Sequence, residues 1–174
     1  CESRHTQGVM NMEWMNQYMA DAERLIMENR VDEGLAILHG LLYEEPGYAS
    51  LHNHIGWAQL YFRNDTNQAE LHFRAAIGFD ATFAPPFLHL GTLYNRLGHY
   101  TQAREHFERG LACEGANRPA LFEGIALTWE MQREFGRAIR YYKEAIAASA
   151  GPEFNQLNEG IKRCRRKRWV LMFF

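Results

Sequence analysis

The stretch "HLGTLYNRLGHYTQAREHFERGLACE", residues 89–114, decides the fold because it recurs along the chain. Residues 54–80 read "HIGWAQLYFRNDTNQAELHFRAAIGFD", and both stretches run from His, an aliphatic residue and Gly to Gln-Ala and then His-Phe. Residues 124–149 form a third copy, and residues 19–46 form a degenerate first copy. Self-similarity at a period of roughly 20 to 50 residues indicates a repeat architecture.

Small and large residues keep the same period through all four copies. The small residues of the first predicted helix are Ala22, Gly56, Gly91 and Ala126. The small residues of the second predicted helix are Gly34, Ala69, Ala103 and Ala138, each followed four positions later by a large residue, at Leu38, Phe73, Phe107 and Tyr142. Gly or Ala lets two helices approach closely, and a bulky residue one turn later fills the space beside the contact. The pattern therefore predicts helix pairs that stack on one another.

This pattern resembles the tetratricopeptide repeat (TPR) family, whose unit is a helix-turn-helix of about 34 residues. The residues that carry the resemblance are Leu90, Gly91, Tyr94, Ala103, Phe107, Gly110, Ile125, Ala126, Trp129, Ala138, Tyr142 and Ala145. The resemblance implies an all-α, right-handed helical-hairpin solenoid. Two departures stand out: Gln59 replaces an expected aromatic residue, and the turn "YFRNDTNQ" is one residue longer than its counterparts.

The repeats divide the chain into four predicted segments. We expect an N-terminal extension over residues 1–14, a TPR-like domain over 15–150, a capping helix over 151–168 and an apolar tail over 169–174. The four repeat units are expected to begin near residues 15, 49, 84 and 119.

The chain closes with "KRCRRKRWVLMFF", a cluster of cations before six apolar residues. The cations of this basic tail are Lys162, Arg163, Arg165, Arg166, Lys167 and Arg168. The preceding 161 residues hold 13 basic and 21 acidic residues, a formal charge of −8, which argues against a nucleic-acid-binding domain. Before and within the tail, apolar residues recur at spacings of three and four, which predicts a helix docked on the last pair. This apolar stripe consists of Phe154, Leu157, Ile161 and Cys164.

Three roles remain open for the basic tail. A nucleic-acid or nuclear-targeting patch fits by composition, and a membrane-surface anchor fits the cations beside Trp169, Phe173 and Phe174. We favour the third role, docking of the apolar end on the repeat body or on a partner. No apolar segment approaches the roughly 18 to 20 residues of a transmembrane helix, and a cytoplasmic location is expected. A bacterial membrane-attached lipoprotein is the alternative, if Cys1 is a processed N-terminus.

Patterns for catalysis and metal binding are missing from the sequence. It holds no GxSxG, GxxxxGK[ST], HExxH or CxxC motif. His54 and His89, like His72 and His106, recur with the repeats, and equivalent positions on packed helices lie roughly 8 to 10 Å apart, which is wide for two ligands of one zinc ion. We therefore expect no enzyme, no cofactor and no metal.

The resemblance implies that the first helices line a concave groove for a peptide or helix of a partner protein. The residues predicted to line it are Asn53, Trp57, Tyr61, Leu88, Thr92, Asn95, Arg96, Leu127 and Glu130. Trp57 and Tyr61 are the best candidates, because an exposed aromatic side chain is an effective anchor. The expected function is a non-catalytic interaction scaffold. The alternatives are a membrane-associated assembly factor, held through Cys1 or the tail, and a small secretion-type chaperone.

Overall fold

The computed structural model describes the backbone of residues 2–149 and 151–173 and the side chains of residues 13–149 and 151–171. Within these ranges the chain forms nine α-helices, one π-helical turn and no strand, so the predicted all-α helical-hairpin class is confirmed. The α-helices are α1 Glu2–Met27, α2 Val31–Glu44, α3 Ala49–Ala58, α4 Thr66–Phe79, α5 Pro85–Arg96, α6 Tyr100–Leu111, α7 Arg118–Met131, α8 Phe135–Ala148 and α9 Phe154–Phe173. None of these helices combines the length and the apolar character that crossing a bilayer requires.

The first compact unit ends at Ala81 and contains the hairpins α1–α2 and α3–α4. Its apolar core includes Ala69, Phe73 and Ala76 of α4 and a cluster formed by the first three helices. The buried members of this cluster are Met15, Met19, Ala22, Ile26, Leu35, Leu38, Leu41, Leu51, Ile55 and Ala58. Close packing depends on the predicted small residues: a Cβ on Gly34 would lie 2.6 Å from the Ala22 carbonyl oxygen, and one on Gly56 would lie 2.7 Å from the Phe73 ring.

Helix α1 starts at Glu2, well before residue 15, where the first repeat was expected to begin. The repeat pattern starts only where α1 packs against its neighbours, at Met15 and Met19, both of which are buried. Nothing before that point breaks a helix, because the preceding residues contain no proline. Helix α1 therefore extends on its N-terminal side beyond the repeat pattern. Cys1, on which the lipoprotein alternative depends, lies outside the described residues.

The extra residue between Gly56 and Ala69 is accommodated by a π-helical turn, Gln59–Arg63, at the end of α3. Helices α3 and α4 can thereby pack as the other hairpins do, while the turn carries one more residue. A π-helical turn inside or beside an α-helix is the usual way to absorb such an insertion, and such turns are frequent at functional sites. The turn places Tyr61 and Phe62 on the surface.

The second compact unit starts at Thr82 and contains α5–α6, α7–α8 and α9. The Phe107 ring of α6 is completely buried between glycines of the two adjacent helices. A Cβ on Gly124 would lie 2.5 Å from this ring, and a Cβ on Gly91 would also overlap it. The small and large residues of the repeat are thus in direct contact, as the packing argument predicts.

Helix α9 packs against α8 through Leu157, Ile161 and Cys164, which are all buried. Gly160, which the sequence analysis did not include, lies under the Tyr142 ring, where a Cβ would approach to 2.7 Å. Phe154 is 51% exposed, so its place in the predicted apolar stripe is wrong. It is the first residue of the helix and lies at the edge of the contact.

The helix does not end before the apolar tail expected from residue 169. Helix α9 has 20 residues against 14 for α7 and α8, so its last turns extend past its neighbours. The apolar side chains there are largely exposed: Trp169 is 64% exposed, Val170 44% and Leu171 52%. The side chains of residues 172–174 lie outside the described ones.

Candidate interaction surfaces

The predicted groove residues divide into accessible and buried ones. Tyr61, Arg96 and Leu127 are exposed, and Trp57, Leu88 and Thr92 are half-buried. The buried members are Asn53, Asn95 and Glu130, each 7% or 8% exposed. Their own unit covers most of each side chain, so these three offer little surface to a partner, and their place on a partner-binding face stays a prediction.

Asn95 shows why the predicted face is partly buried. The Thr128 hydroxyl of α7 donates to Asn95 Oδ1 at 2.9 Å, and Asn95 Nδ2 donates to the Gly124 carbonyl oxygen at 3.4 Å. These bonds join α5 to α7 across the first helices of successive hairpins. The amide therefore satisfies buried polar groups of its own unit.

Glu130 lies at the centre of a polar network between α7, α8 and α9. Arg163 donates to its carboxylate through Nε, at 2.7 Å, and through Nη2, at 2.8 Å. The Lys167 ammonium donates to Oε1 at 2.8 Å and the Tyr142 hydroxyl donates to Oε2 at 3.0 Å. Burial raises the pKa of Glu130, but these hydrogen bonds outweigh burial and hold its pKa at about 2.

The network uses only part of the basic tail. Arg163 and Lys167 neutralise Glu130, and Lys162 pairs with Glu159 at 2.7 Å. The remaining cations, Arg165, Arg166 and Arg168, are exposed, and none of them has an ion pair within the described part of the chain. The tail therefore combines a structural contact with three cations that are open to other charges.

The Cys164 thiol is next to this network and is completely buried. Burial and the nearby Glu130 carboxylate raise the pKa of Cys164 to about 12. The thiol therefore stays protonated at neutral pH, and a protonated, covered thiol is a poor nucleophile. Its role is to pack α9 against α8.

A cavity of about 540 Å³ lies beside the network, between the α7–α8 turn and the last turns of α9. We call it the basic pocket. Its lining residues are Glu130, Met131, Arg133, Phe135, Arg166, Lys167, Val170 and Leu171. The lining combines cations with an apolar floor. The cations of α9 are evident in the sequence, whereas their position opposite the α7–α8 turn is evident only in the structure.

In the first unit, three aromatic side chains form a second surface feature, the aromatic patch: Trp57, Tyr61 and Phe62. The Trp57 and Phe62 rings meet edge to face with centroids 5.0 Å apart. Tyr61 is 45% exposed and Phe62 36% exposed, while Trp57 also packs against the core. The sequence predicts Trp57 and Tyr61 as groove residues but not Phe62, because helical periodicity does not reveal the π-helical turn that exposes Phe62.

The first unit also brings together His39, His52 and His72. The Nδ1 atoms of His52 and His72 are 3.1 Å apart, and the ring centroids of His39 and His72 are 6.3 Å apart. Burial, together with the neighbouring His52 and His39, lowers the pKa of His72 to about 4, so this ring is neutral at pH 7. No three described His, Cys, Asp or Glu side chains are arranged so that they could share a metal ion.

Several solved structures share this arrangement of helices. PilF of Pseudomonas aeruginosa has a TM-score of 0.81 at 14% identity, covering 91% of this chain and 70% of its own. A thermophilic TPR protein of Thermus thermophilus has a TM-score of 0.71 at 18% identity, covering 84% of this chain and 79% of its own. The chain has the TPR fold. PilW, a type IV pilus biogenesis factor, has a TM-score of 0.70 at 18% identity, covering 90% of this chain and 76% of its own. Neither a protein-family model nor a curated protein sequence matches the chain.

One turn of the TPR fold departs from the others in this chain. Each turn between the two helices of a hairpin has a residue with positive φ, at Asn29 (66°), Asn64 (53°), Gly98 (77°) and Arg133 (63°). Gly and Asn adopt this left-handed conformation readily, whereas other residues do so at a cost of roughly 1 kcal/mol or more. Arg133 is therefore the residue in this series that local conformation does not favour, and it lines the basic pocket.

Proposed function

We propose that the chain is a non-catalytic scaffold that binds a segment of a partner protein, with the aromatic patch as its anchor. The observation that carries the proposal is the exposure of Tyr61 and Phe62 on the π-helical turn at the end of α3. Large aromatic side chains supply much contact area with little loss of side-chain entropy, and they dominate the energetics of many interfaces.

The position of the aromatic patch on a π-helical turn supports this role in addition to its composition. The other three hairpins join their helices without a π-helical turn in the described residues. The second hairpin carries one more residue than the others, and its π-helical turn buries Leu60 while it exposes two aromatic rings. A π-helical turn that changes the surface in this way is a marker of function, because such turns are frequent at functional sites.

The accessible members of the predicted groove in the second unit are consistent with protein binding. Leu88 and Thr92 on α5 and Leu127 on α7 are half-buried or exposed, and Arg96 is exposed. A mixture of apolar, hydroxyl and cationic side chains suits a peptide rather than a small polar metabolite. Their contact with a partner remains a prediction.

The test is quantitative affinity capture from the source cells with a Tyr61→Ser/Phe62→Ser double variant. We expect the captured partner to fall at least about fivefold, because each exposed aromatic anchor contributes roughly 1–2 kcal/mol. Tyr43→Ser is the matched control, since Tyr43 is 87% exposed and lies on α2 of the same unit, away from the patch. Unchanged capture by the double variant, with equal folding by circular dichroism, would rule out the aromatic patch as the anchor.

A membrane-associated assembly factor is a second candidate. It is favoured by the exposed Trp169, Val170 and Leu171, which follow exposed arginines on α9. PilW, a type IV pilus biogenesis factor, has a similar fold and is a precedent for a biogenesis factor with this fold. Flotation with phosphatidylcholine–phosphatidylserine vesicles tests it: a Trp169→Ser/Val170→Ser/Leu171→Ser variant should lose vesicle binding. Equal flotation of both proteins, or none by the parent, would exclude the tail as the anchor.

A further inference from the structure

We propose that the basic pocket of the second unit is a docking site for an acidic segment with apolar side chains, belonging to a partner protein. This inference rests on the proposed scaffold function and names the chemistry of a partner at a second surface.

The first argument is unbalanced charge. Glu130 is the acidic residue of the lining, and its carboxylate already accepts from Arg163 and Lys167. Arg133 and Arg166 also line the cavity, and neither forms an ion pair with a described residue. The cavity therefore carries a net positive charge. Carboxylates of a ligand would find two guanidinium groups able to bind them in a bidentate way.

The second argument is the backbone at Arg133, which is independent of the charge argument. In the other three hairpins the corresponding position holds Asn or Gly, which tolerate positive φ, whereas here it holds an arginine with φ 63°. A residue held in an unfavourable conformation at the mouth of a cavity points to a role for its side chain. The guanidinium, rather than the turn, explains why an arginine is there.

The third argument is the floor of the cavity. Met131 is the last residue of α7 and Phe135 the first of α8, and Val170 and Leu171 come from the last turns of α9. Val170 and Leu171 are each about half exposed, so a ligand would cover apolar surface that the unit itself leaves open. Cations around an apolar floor match a segment that alternates acidic and aliphatic or aromatic residues.

The shape of the site favours a peptide over a bilayer. The cavity is concave and holds about 540 Å³, a volume that several side chains of a peptide can fill. A bilayer surface is nearly flat and would contact the projecting end of α9 without entering the cavity. The two occupants therefore depend on different residues: a peptide depends on Arg133 and Arg166, whereas a bilayer would depend equally on Arg165 and Arg168.

The experiment measures binding of fluorescein-labelled synthetic peptides to the full chain by fluorescence anisotropy. The probe is an amphipathic peptide with leucine and phenylalanine on one face and glutamate on the other. Two control peptides carry lysine in place of glutamate, or serine in place of the apolar residues. We expect the glutamate peptide to bind at least about tenfold more tightly than either control, and salt to weaken its binding.

Two variants connect that binding to the pocket. Arg166→Glu should weaken binding of the glutamate peptide at least about fivefold and strengthen binding of the lysine peptide. Arg168→Glu is the matched control, with the same charge change on the same helix outside the lining, and it should change affinity less than about twofold through screened long-range charge. Arg133→Gly should weaken the glutamate peptide while raising the thermal midpoint, since it removes the cation and relieves the backbone.

Several outcomes would overturn the proposal. If Arg166→Glu and Arg168→Glu lower the affinity for the glutamate peptide equally, the peptide responds to the overall charge of α9 and not to the pocket. Vesicles of phosphatidylcholine and phosphatidylserine that bind the chain, while no peptide does, would assign the surface to a membrane. Unchanged peptide binding in Arg166→Glu would remove the site while leaving the scaffold function intact, because that function is tested separately at Tyr61 and Phe62.

Discussion

The two units keep polar side chains inside their helical layers by different chemistry. The first unit gathers imidazole rings, with His72 buried against His52 and His39. The second unit buries a charge, the Glu130 carboxylate, and surrounds it with Arg163, Lys167 and Tyr142. The difference teaches that one repeat pattern can carry two kinds of polar interior. Each kind of interior should lose its contribution to stability under different conditions.

Removing the Glu130 carboxylate tests the charged interior and should have the largest effect. Glu130→Ala leaves the Tyr142 hydroxyl without its acceptor and releases Arg163 and Lys167 from their shared partner. We expect the free energy of unfolding to fall by roughly 2–3 kcal/mol, below the usual cost for fully buried pairs because both cations reach solvent. Urea denaturation measures it.

Glu134→Ala is the control for this prediction, since Glu134 is an exposed carboxylate four residues further along. It should change the free energy of unfolding by less than about 0.5 kcal/mol. If Glu130→Ala and Glu134→Ala have equal effects, the network contributes nothing beyond surface charge. Hydrogen exchange adds a second readout, because α9 should lose protection before α5 does.

The sequence predicts the packing of the repeats but not this network. Phe107 between Gly91 and Gly124 follows from small and large residues at a fixed period, because that period records direct contacts between adjacent helices. Glu130 has the same repeat position as Ile26, Leu60 and Asn95, which are all buried, so its burial follows from the repeat period. Its partner does not: Arg163 lies 33 residues later, and local periodicity contains no information about a contact at that distance.

The interaction surfaces show the same limit. Tyr61 could be identified from its place on a first helix, whereas Phe62 depends on a π-helical turn that breaks the helical period. The basic pocket needs the overhang of α9 past α7, which follows from where helices end rather than from composition. Elements and their packing faces are predictable here, while helix ends and long-range polar contacts are not.

Mild acid should affect the stability contributions of His72 and Glu130 differently. His72 has a folded pKa of about 4 against an ordinary 6.5, so the unfolded state binds more protons between these values and stability falls as pH drops through that window. Glu130 has a folded pKa of about 2 against an ordinary 4.5, so its contribution is lost only as pH falls from about 4.5 towards 2. Of these two groups, only His72 should therefore lower stability between pH 7 and pH 5, and it lies in the first unit.

The expected loss for the first unit is roughly 1–2 kcal/mol at pH 5, from the shift of His72 alone. Hydrogen exchange of α3 and α4 against α7 and α8 measures it for each unit. His72→Leu should flatten the dependence, and His99→Gln, an exposed histidine of the second unit, should not. A first unit that keeps its full pH dependence without His72 would show that another group titrates there.

The hairpin turns give the finest comparison between the units. Asn64 in the first unit and Arg133 in the second both have positive φ. Asn tolerates this conformation through local hydrogen bonding, whereas Arg gains nothing from it. Relief of the left-handed backbone at Arg133 amounts to roughly 1–2 kcal/mol, and the added freedom of glycine in the unfolded chain offsets part of it, so Arg133→Gly should stabilise the protein by about 0.5–1 kcal/mol. At Asn64 the relief is smaller and the same offset cancels most of it, so Asn64→Gly should change stability by only a few tenths of a kcal/mol. Thermal denaturation of both variants measures the difference. An Arg133→Gly protein no more stable than its parent would mean that the guanidinium makes a stabilising contact within the second unit, and the case for an arginine kept to bind a ligand would then fail.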